Sequence, residues 1–165
     1  MRLPGTTPSS PDDTGDIDPV LADALDSGDD ARVAAALLKA RLLVPVVALP
    51  SAGDAEMAVP ALVDGQGRRA LPVFSSYDAL RAWQPDARPV PMSGARVFAG
   101  AAAEGYDGVV LDVAGPITLT LADGQLRALA AAARAMQTHP GARLATVEHE
   151  RPMGGRPDTR RPPIS

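Results

Sequence analysis

The chain has 165 residues, of which 45% are hydrophobic but only 3% aromatic, so it can form one ordinary domain with a core of small aliphatic side chains. Cysteine is absent, which excludes disulfides, thiol catalysis and cysteine-ligated zinc. The net charge of −4 conceals ten basic and nine acidic residues between positions 31 and 138, and this near balance provides no basic face for nucleic acid.

The N-terminal segment 1–17 is predicted to be a disordered tail. Up to Asp16 it is rich in Pro, Ser, Thr, Gly and Asp, which cannot bury enough apolar surface to offset the entropy lost on ordering. No apolar stretch follows Met1, so a signal peptide is not expected. Because the apolar runs farther along are too short to span a bilayer, we expect a soluble cytoplasmic protein.

Two short amphipathic helices are expected to open the domain, which we place at residues 18–138. Asp18 can cap the first helix, with a proline in the first helical position, and Gly28 can end it. The second helix begins at the Asp29–Asp30 pair and runs to about Ala40. Each helix carries an apolar stripe that should face the core.

Three apolar segments in the first half predict strands. The run at 42–49 contains Pro45, which indicates an edge strand or a bulge because proline cannot donate to a ladder. The runs at 59–63 and 70–74 are joined by a glycine-rich connection and predict an antiparallel hairpin. That connection matches the dinucleotide pattern G-x-G-x-x-A, but a strand follows it where the pattern requires a helix, so a hairpin turn is favoured.

The most informative stretch is the junction at Phe74, where an apolar strand turns directly into an amphipathic helix. Ser75 or Ser76 can accept a hydrogen bond from the free N–H groups of the first helical turn. Either these serines cap the helix, or they form a nucleophile or an anion site at its N-terminus. We favour capping, because no glycine-rich loop precedes the helix and no base is identifiable nearby.

The second half predicts an extended crossover, a helix, a hairpin and a final helix. The crossover is expected over 84–92 and the next helix over 94–103. The hairpin pairs 108–113 with 117–121, and Asp123 can cap the last helix. The expected fold is therefore α+β, with an antiparallel or mixed sheet of about five strands and helices packed mainly on one face.

Asp112 is the one charged residue in an otherwise apolar predicted strand, so it is the first candidate for a perturbed carboxylate. If the apolar residues on either side of it face the core, Asp112 faces water together with Val110. We favour this exposed position.

Residues 139–165 are expected to form a flexible tail containing Pro, Gly and Arg. His139 and His149 lie in this tail, without the three or four converging ligands that zinc needs and outside any serine–histidine–aspartate arrangement. Neither a metal nor a cofactor is therefore expected.

Three segments, Arg41–Leu49, Ala70–Trp83 and Tyr106–Pro116, carry a resemblance to a known family. With the order of elements they resemble the SseB N-terminal domain family, named after an enhanced serine sensitivity phenotype, over about residues 20–138. The strand-to-helix segment that ends at Trp83 is the most specific part. The resemblance implies an α+β domain of a type common in GC-rich actinobacteria, with no established activity, cofactor or catalytic set to transfer.

Three classes of function remain. The first is a non-catalytic protein-interaction or regulatory domain, whose partner is an unknown protein or a second copy of the chain. The second is a domain that binds a nucleotide or an amino acid at the helix start formed by Ser75 and Ser76. The third is an enzyme that uses Asp112. We expect the first class, with Ser75, Ser76 and Asp112 as candidate contacts for a ligand or partner, and without membrane or nucleic acid as partners.

Overall fold

A computed structural model describes residues 14–50 and 56–138. These residues form five helices and seven strands. The helices are α1 (Pro19–Ser27), α2 (Asp30–Lys39), α3 (Tyr77–Trp83), α4 (Gly94–Ala103) and α5 (Asp123–Thr138). The strands are β1 (Arg41–Leu49), β2 (Glu56–Ala58), β3 (Leu62–Val63), β4 (Arg69–Val73), β5 (Arg88–Ser93), β6 (Gly108–Leu111) and β7 (Leu119–Ala122).

The described strands form two sheets, with the order β2-β1-β5 in one and β3-β4-β6-β7 in the other. Neighbouring strands are antiparallel except β4 and β6, which run parallel with Val73 opposite Leu111. The sheets meet where Leu43 and Phe74 exchange backbone hydrogen bonds of 2.8 and 2.9 Å. The predicted α+β class and the two predicted hairpins, β3–β4 and β6–β7, are confirmed.

Strand β5 occupies the segment that the sequence predicted to be a crossover, and its prolines explain why the prediction was wrong. Pro91 lies opposite Leu43, whose backbone groups bond to Phe74 on the other side of β1. Pro91 therefore takes a non-hydrogen-bonded position on an edge strand, where the ladder does not require its missing N–H. Proline at alternate positions is thus compatible with this strand.

Pro45 was expected to mark an edge strand or a bulge, but β1 is the central strand of its sheet. Since the backbone alternates, Pro45 faces the same edge as Leu43, two residues before it. On that edge, the bridge to Phe74 lies at Leu43 and pairing with β2 begins only at Val47. Pro45 therefore lies between the bridge to Phe74 and the pairing with β2. No neighbouring backbone needs its missing N–H there, so this central strand tolerates a proline.

The main core contains side chains from both sheets and from the helices α1, α2, α4 and α5. Leu71 and Val109 on the four-stranded sheet, and Leu37 and Phe98 on the helices, are at most 1% exposed. Helix α3 instead contributes Leu80 to a smaller cluster with Leu43 and Phe74. The rings of Phe74 and Trp83 lie 5.4 Å apart in this cluster, as the predicted apolar face of the helix requires.

Four described side chains cap helices, and the caps predicted at Asp18 and at Ser75 or Ser76 are confirmed at Asp18 and Ser76. Each cap residue accepts a hydrogen bond from a backbone N–H of the first turn, over 2.8 to 3.4 Å; they are Asp18, Asp29, Ser76 and Ser93. Asp123 is not a cap, because it is the first residue of α5 and bonds to the Arg127 side chain at 2.8 Å. The Gln125 side chain reaches back to the Ala122 N–H at 3.0 Å in its place.

The predicted tails lie largely outside the described residues. Residues 1–13 and the segment 139–165, with both histidines, are not part of the description. The last residues of the predicted N-terminal tail make two contacts: the Gly15 carbonyl accepts the Tyr77 N–H at 2.9 Å, and the Asp16 carbonyl accepts the Arg41 guanidinium at 2.6 Å. None of the described helices is long and apolar enough to cross a bilayer.

Candidate functional site

The candidate site forms where the parallel strands β4 and β6 end side by side. Val73 and Leu111 are the last paired residues, and the Asp112 N–H extends the ladder by donating to the Val73 carbonyl at 2.9 Å. After β4 the chain continues through Ser75 into α3, and after β6 it turns toward β7. The carboxyl ends of parallel strands are a common place for ligand sites because two loops diverge there.

Ser75 and Asp112 bind each other through two hydrogen bonds. The Ser75 N–H donates to Asp112 Oδ1 at 2.8 Å, and its hydroxyl donates to Asp112 Oδ2 at 2.5 Å. Ser75 is 3% exposed and Asp112 is 8% exposed, so the pair is buried. The Asp112 carboxylate is therefore shielded from water, and the two Ser75 donors replace hydrogen bonds that water would make.

The prediction that Asp112 faces water is wrong, and its backbone shows why. The alternation argument assumed that the strand continues, whereas β6 ends at Leu111 and Asp112 has a φ of +53°. This left-handed conformation, which aspartate tolerates better than most residues, departs from the pleat and turns the side chain toward Ser75. Val109 and Leu111 are buried in the core as expected, whereas Val113, which was expected to face it too, is only half-buried.

Asp112 also organises the turn between β6 and β7. Its carbonyl accepts the Gly115 N–H at 2.8 Å and the Thr118 hydroxyl at 2.9 Å. A Cβ atom at Gly115 would lie 3.0 Å from the Asp112 Cβ, so the turn is packed closely around this residue. One aspartate thus joins the end of β4 to the β6–β7 turn.

Ser76, rather than Ser75, caps α3. Its hydroxyl accepts the Ala79 N–H and its carbonyl accepts the Leu80 N–H, each at 3.2 Å. The Tyr77 N–H is taken by the Gly15 carbonyl. Three N–H groups at the start of this helix therefore already have acceptors within the chain, which leaves little for an external anion.

Ser75, Ser76 and Asp112 line one groove of about 390 Å³, which we call the acidic groove. Its walls come from α1, from α3 and from the β6–β7 turn. Its apolar lining includes the larger side chains of Ile17, Leu25 and Ile117 and the methyl groups of Ala79 and Ala82. Three carboxylates line it, those of Asp26, Asp78 and Asp112, and among the described residues no Lys or Arg does.

The two rim carboxylates are open to solvent, unlike Asp112. Asp26 is exposed, and the Asp78 side chain is 94% exposed, with one oxygen 3.6 Å from the Arg81 guanidinium on the same helix. Such an exposed pair is worth little and leaves the Asp78 carboxylate available to another cation. Arg41 approaches from outside the lining, where its guanidinium donates to the Ser75 carbonyl at 3.4 Å.

The sequence predicted three of the lining residues as candidates, without predicting that they meet, and it missed the wall formed by α1. Ile17 and Ala22 occupy the positions before the cap and four residues into the helix, where a hydrophobic staple forms, so this pattern could have been recognised. Nothing local in the sequence indicates that Asp26 faces the start of α3, since that depends on long-range packing. The described residues contain no group of three or more acidic or histidine side chains that could hold a metal ion.

Comparison with known proteins bears on this geometry. A family model described as the SseB protein N-terminal domain matches residues 18–128, from the cap of α1 into α5. No curated protein and no solved structure matches the chain. The family match covers well over half of the sequence and includes nearly all of the acidic groove. The chain therefore belongs to the SseB N-terminal domain family.

Proposed function

We propose that this domain is a non-catalytic protein-interaction module, whose acidic groove receives a partner segment that combines apolar side chains with Lys or Arg. The observation that carries the proposal is the lining of the groove: apolar side chains from three elements, carboxylates at the rim, and no described Lys or Arg among them. A segment of the opposite charge that also fills the apolar floor is the complement of this surface.

The two parts of the lining have different tasks in this proposal. Contact with Leu25, Ala79 and Ile117 supplies affinity, because removing apolar area from water contributes about 25 cal/mol per Å². The exposed carboxylates of Asp26 and Asp78 contribute less to affinity and more to orientation and association rate, as rim charges generally do. Binding should therefore weaken with salt without disappearing.

The hydrogen bonds between Ser75 and Asp112 favour a structural role for these two residues, which an enzyme would instead use in catalysis. The serine hydroxyl donates a hydrogen bond to a carboxylate that also accepts the Ser75 N–H, and both residues are buried. This pair fixes the β6–β7 turn against the start of α3, and so it holds two walls of the groove at a set distance. Pre-organised walls reduce the entropy cost of binding a partner.

A small molecule that carries an amino group is a second candidate ligand. The groove volume of about 390 Å³ falls within the usual range of small-molecule sites, and its carboxylates suit an ammonium group. A nucleotide fits less well, because its phosphates would face carboxylates and an α3 start whose N–H groups have acceptors. An amino acid thus remains the better of the two small-molecule alternatives.

Selection from a random peptide library displayed on phage tests the proposal without assuming a partner. We expect the peptides retained by the full chain to be enriched in Lys or Arg next to aliphatic residues. The double variant Asp26→Lys/Asp78→Lys should bind them about tenfold more weakly, since each exposed charge contributes up to about 1 kcal/mol. Asp86→Lys is the matched control, because Asp86 is exposed and lies outside the groove lining.

Two results would contradict the interaction proposal: no enrichment of basic, apolar peptides, or equal loss of binding in the Asp86→Lys control. Titration of the same protein with free amino acids and with nucleotides, followed by amide chemical shifts, separates the small-molecule candidate. Amide shifts around Ser76 and Ile117 that an amino acid causes and that no selected peptide causes would favour the small-molecule ligand.

A further inference from the structure

Part of the acidic groove is formed by a segment that precedes the first helix. Ile17 lines the groove, and it is followed by Asp18, whose side chain caps α1. The cap separates the helix from residues 14–17, which we call the latch. Within the latch Asp16 is exposed, Gly15 is buried and Ile17 is half-buried. The groove wall at Ile17 therefore depends on a segment outside the helices and strands.

The latch is attached to the start of α3 and to the start of β1. The Gly15 carbonyl accepts the Tyr77 N–H at 2.9 Å, and the Asp16 carbonyl accepts the Arg41 guanidinium at 2.6 Å. The same guanidinium donates to the Ser75 carbonyl at 3.4 Å and lies over the Tyr77 ring, 5.7 Å from its centre. Gly15, Tyr77 and Arg41 are not groove-lining residues. The residues that hold the latch are thus separate from those that would contact a partner.

The contact between the latch and α3 requires a glycine at position 15. Gly15 has a left-handed backbone with a φ of +79°, and a Cβ atom there would lie 1.9 Å from the Tyr77 ring. The Gly15 backbone therefore packs directly on the ring, and a larger residue would push the two apart. A short segment held by such contacts at the edge of a domain can detach while the rest of the fold is kept.

We infer that the latch is a conformational switch for the acidic groove. When it is attached, Ile17 completes the apolar wall, and when it is released, the groove lacks that wall and binds a partner more weakly. This inference rests on the proposed function, because it concerns the partner segment bound there. A segment that contacts Ile17 binds the attached form more tightly, so it must favour that form by the same factor. The latch therefore closes on a bound partner.

Hydrogen exchange of the full chain without a partner tests whether the latch detaches by itself. The Tyr77 amide should lose most of its protection in Gly15→Ala, whereas the Leu80 amide within α3 should keep its own. Gly67→Ala is the matched control, because Gly67 has the same φ of +79° and, among the described residues, no atom lies within 4 Å of its Cβ position. Circular dichroism confirms that each variant keeps its fold.

A second variant removes the other attachment and keeps Gly15. Arg41→Met lacks the donor to the Asp16 carbonyl, so the Tyr77 amide should exchange about tenfold faster than in the wild type, as expected for the loss of one charged hydrogen bond. Tyr77 exchange that neither Gly15→Ala nor Arg41→Met accelerates more than Gly67→Ala does would overturn the inference.

A selected peptide that binds the groove tests the coupling. Gly15→Ala should bind it about fivefold more weakly than the wild type, Gly67→Ala should bind it equally well, and saturating peptide should slow Tyr77 exchange in the wild type by a similar factor. Selection of no peptide would contradict the proposed function and the coupling with it. Peptides that bind Gly15→Ala and Gly67→Ala equally, or that leave Tyr77 exchange in the wild type unchanged, would overturn the latch alone.

Discussion

At the scale of single residues, Asp112 makes the contacts on which the candidate site depends. Its carboxylate holds the backbone and the hydroxyl of Ser75, and its carbonyl holds Gly115 and Thr118. A buried charge destabilises a protein unless hydrogen bonds replace the water it has lost. The left-handed backbone of Asp112 brings its carboxylate to those donors, so the burial of this carboxylate depends on the backbone conformation.

Replacing Asp112 by Ala should lower the free energy of unfolding by about 2–4 kcal/mol, because the Ser75 N–H and hydroxyl lose their buried acceptor. Asp112→Asn should cost less, since asparagine tolerates the left-handed backbone and can still accept one bond. Urea unfolding followed by circular dichroism measures both. Asp107→Ala is the control, because Asp107 also accepts a backbone N–H, at 2.8 Å, but in an exposed place.

A double-mutant cycle assigns this effect to the Ser75–Asp112 contact. If the pair acts as described, Ser75→Ala and Asp112→Ala should be non-additive by about 1 kcal/mol or more, as for residues in one hydrogen-bond network. Additive effects, or an Asp112→Ala cost no greater than that of Asp107→Ala, would show that the pair does not hold the turn.

At the scale of elements, the glycine-rich connection between β3 and β4 is organised by Asp64. Its carboxylate accepts the Gln66 N–H at 2.8 Å, the Arg68 N–H at 3.0 Å and the Arg68 guanidinium at 2.7 Å. Gly67 supplies the left-handed residue with a φ of +79°. The dinucleotide-like pattern is thus a hairpin turn, as its position between two strands predicted.

The backbone hydrogen bonds from Gln66 and Arg68, and then the Arg68 side chain, lower the pKa of Asp64 below its ordinary value of 3.8. The ionised form is therefore favoured by folding. Its contribution is present above pH 3.8 and is lost as the pH falls through the lowered folded value. The difference in unfolding free energy between the wild type and Asp64→Asn should shrink over that acidic range. An Asp64 titration by NMR with a midpoint at or above 3.8 would contradict this account.

The packing of α2 against α4 depends on Gly94. A Cβ atom there would lie 1.6 Å from the Leu37 carbonyl oxygen, and the Gly94 N–H donates to the Ala40 carbonyl at 2.9 Å. Gly94→Ala should therefore destabilise the domain by about 3 kcal/mol or prevent folding, as overpacked core positions do. Gly124 in α5 has no atom near its Cβ position, so Gly124→Ala should be neutral or stabilise by up to about 1 kcal/mol. Thermal unfolding that ranks the two variants equally would refute the proposed close approach.

At the scale of the whole molecule, local patterns predicted the helices, both hairpins and the caps of α1 and α3, because capping and periodicity act within a few residues, whereas Asp123 does not cap α5. The division into two sheets was not predictable in the same way. It depends on the contact between Leu43 and Phe74, and on prolines of β5 that face an edge. The candidate site divides likewise: a serine cap was predicted at the start of α3 without deciding between Ser75 and Ser76, whereas the position of Asp112 required the left-handed turn that ends β6.

The central claim, that the acidic groove receives a basic and apolar segment, is tested most directly by NMR mapping of the full chain with a selected peptide. The proposal predicts amide shifts at Leu25, Ala79 and Ile117, and a dissociation constant that rises with salt because Asp26 and Asp78 take part. Shifts confined to residues outside the groove, such as Thr120, or an affinity that the Asp26→Lys/Asp78→Lys variant leaves unchanged, would contradict it.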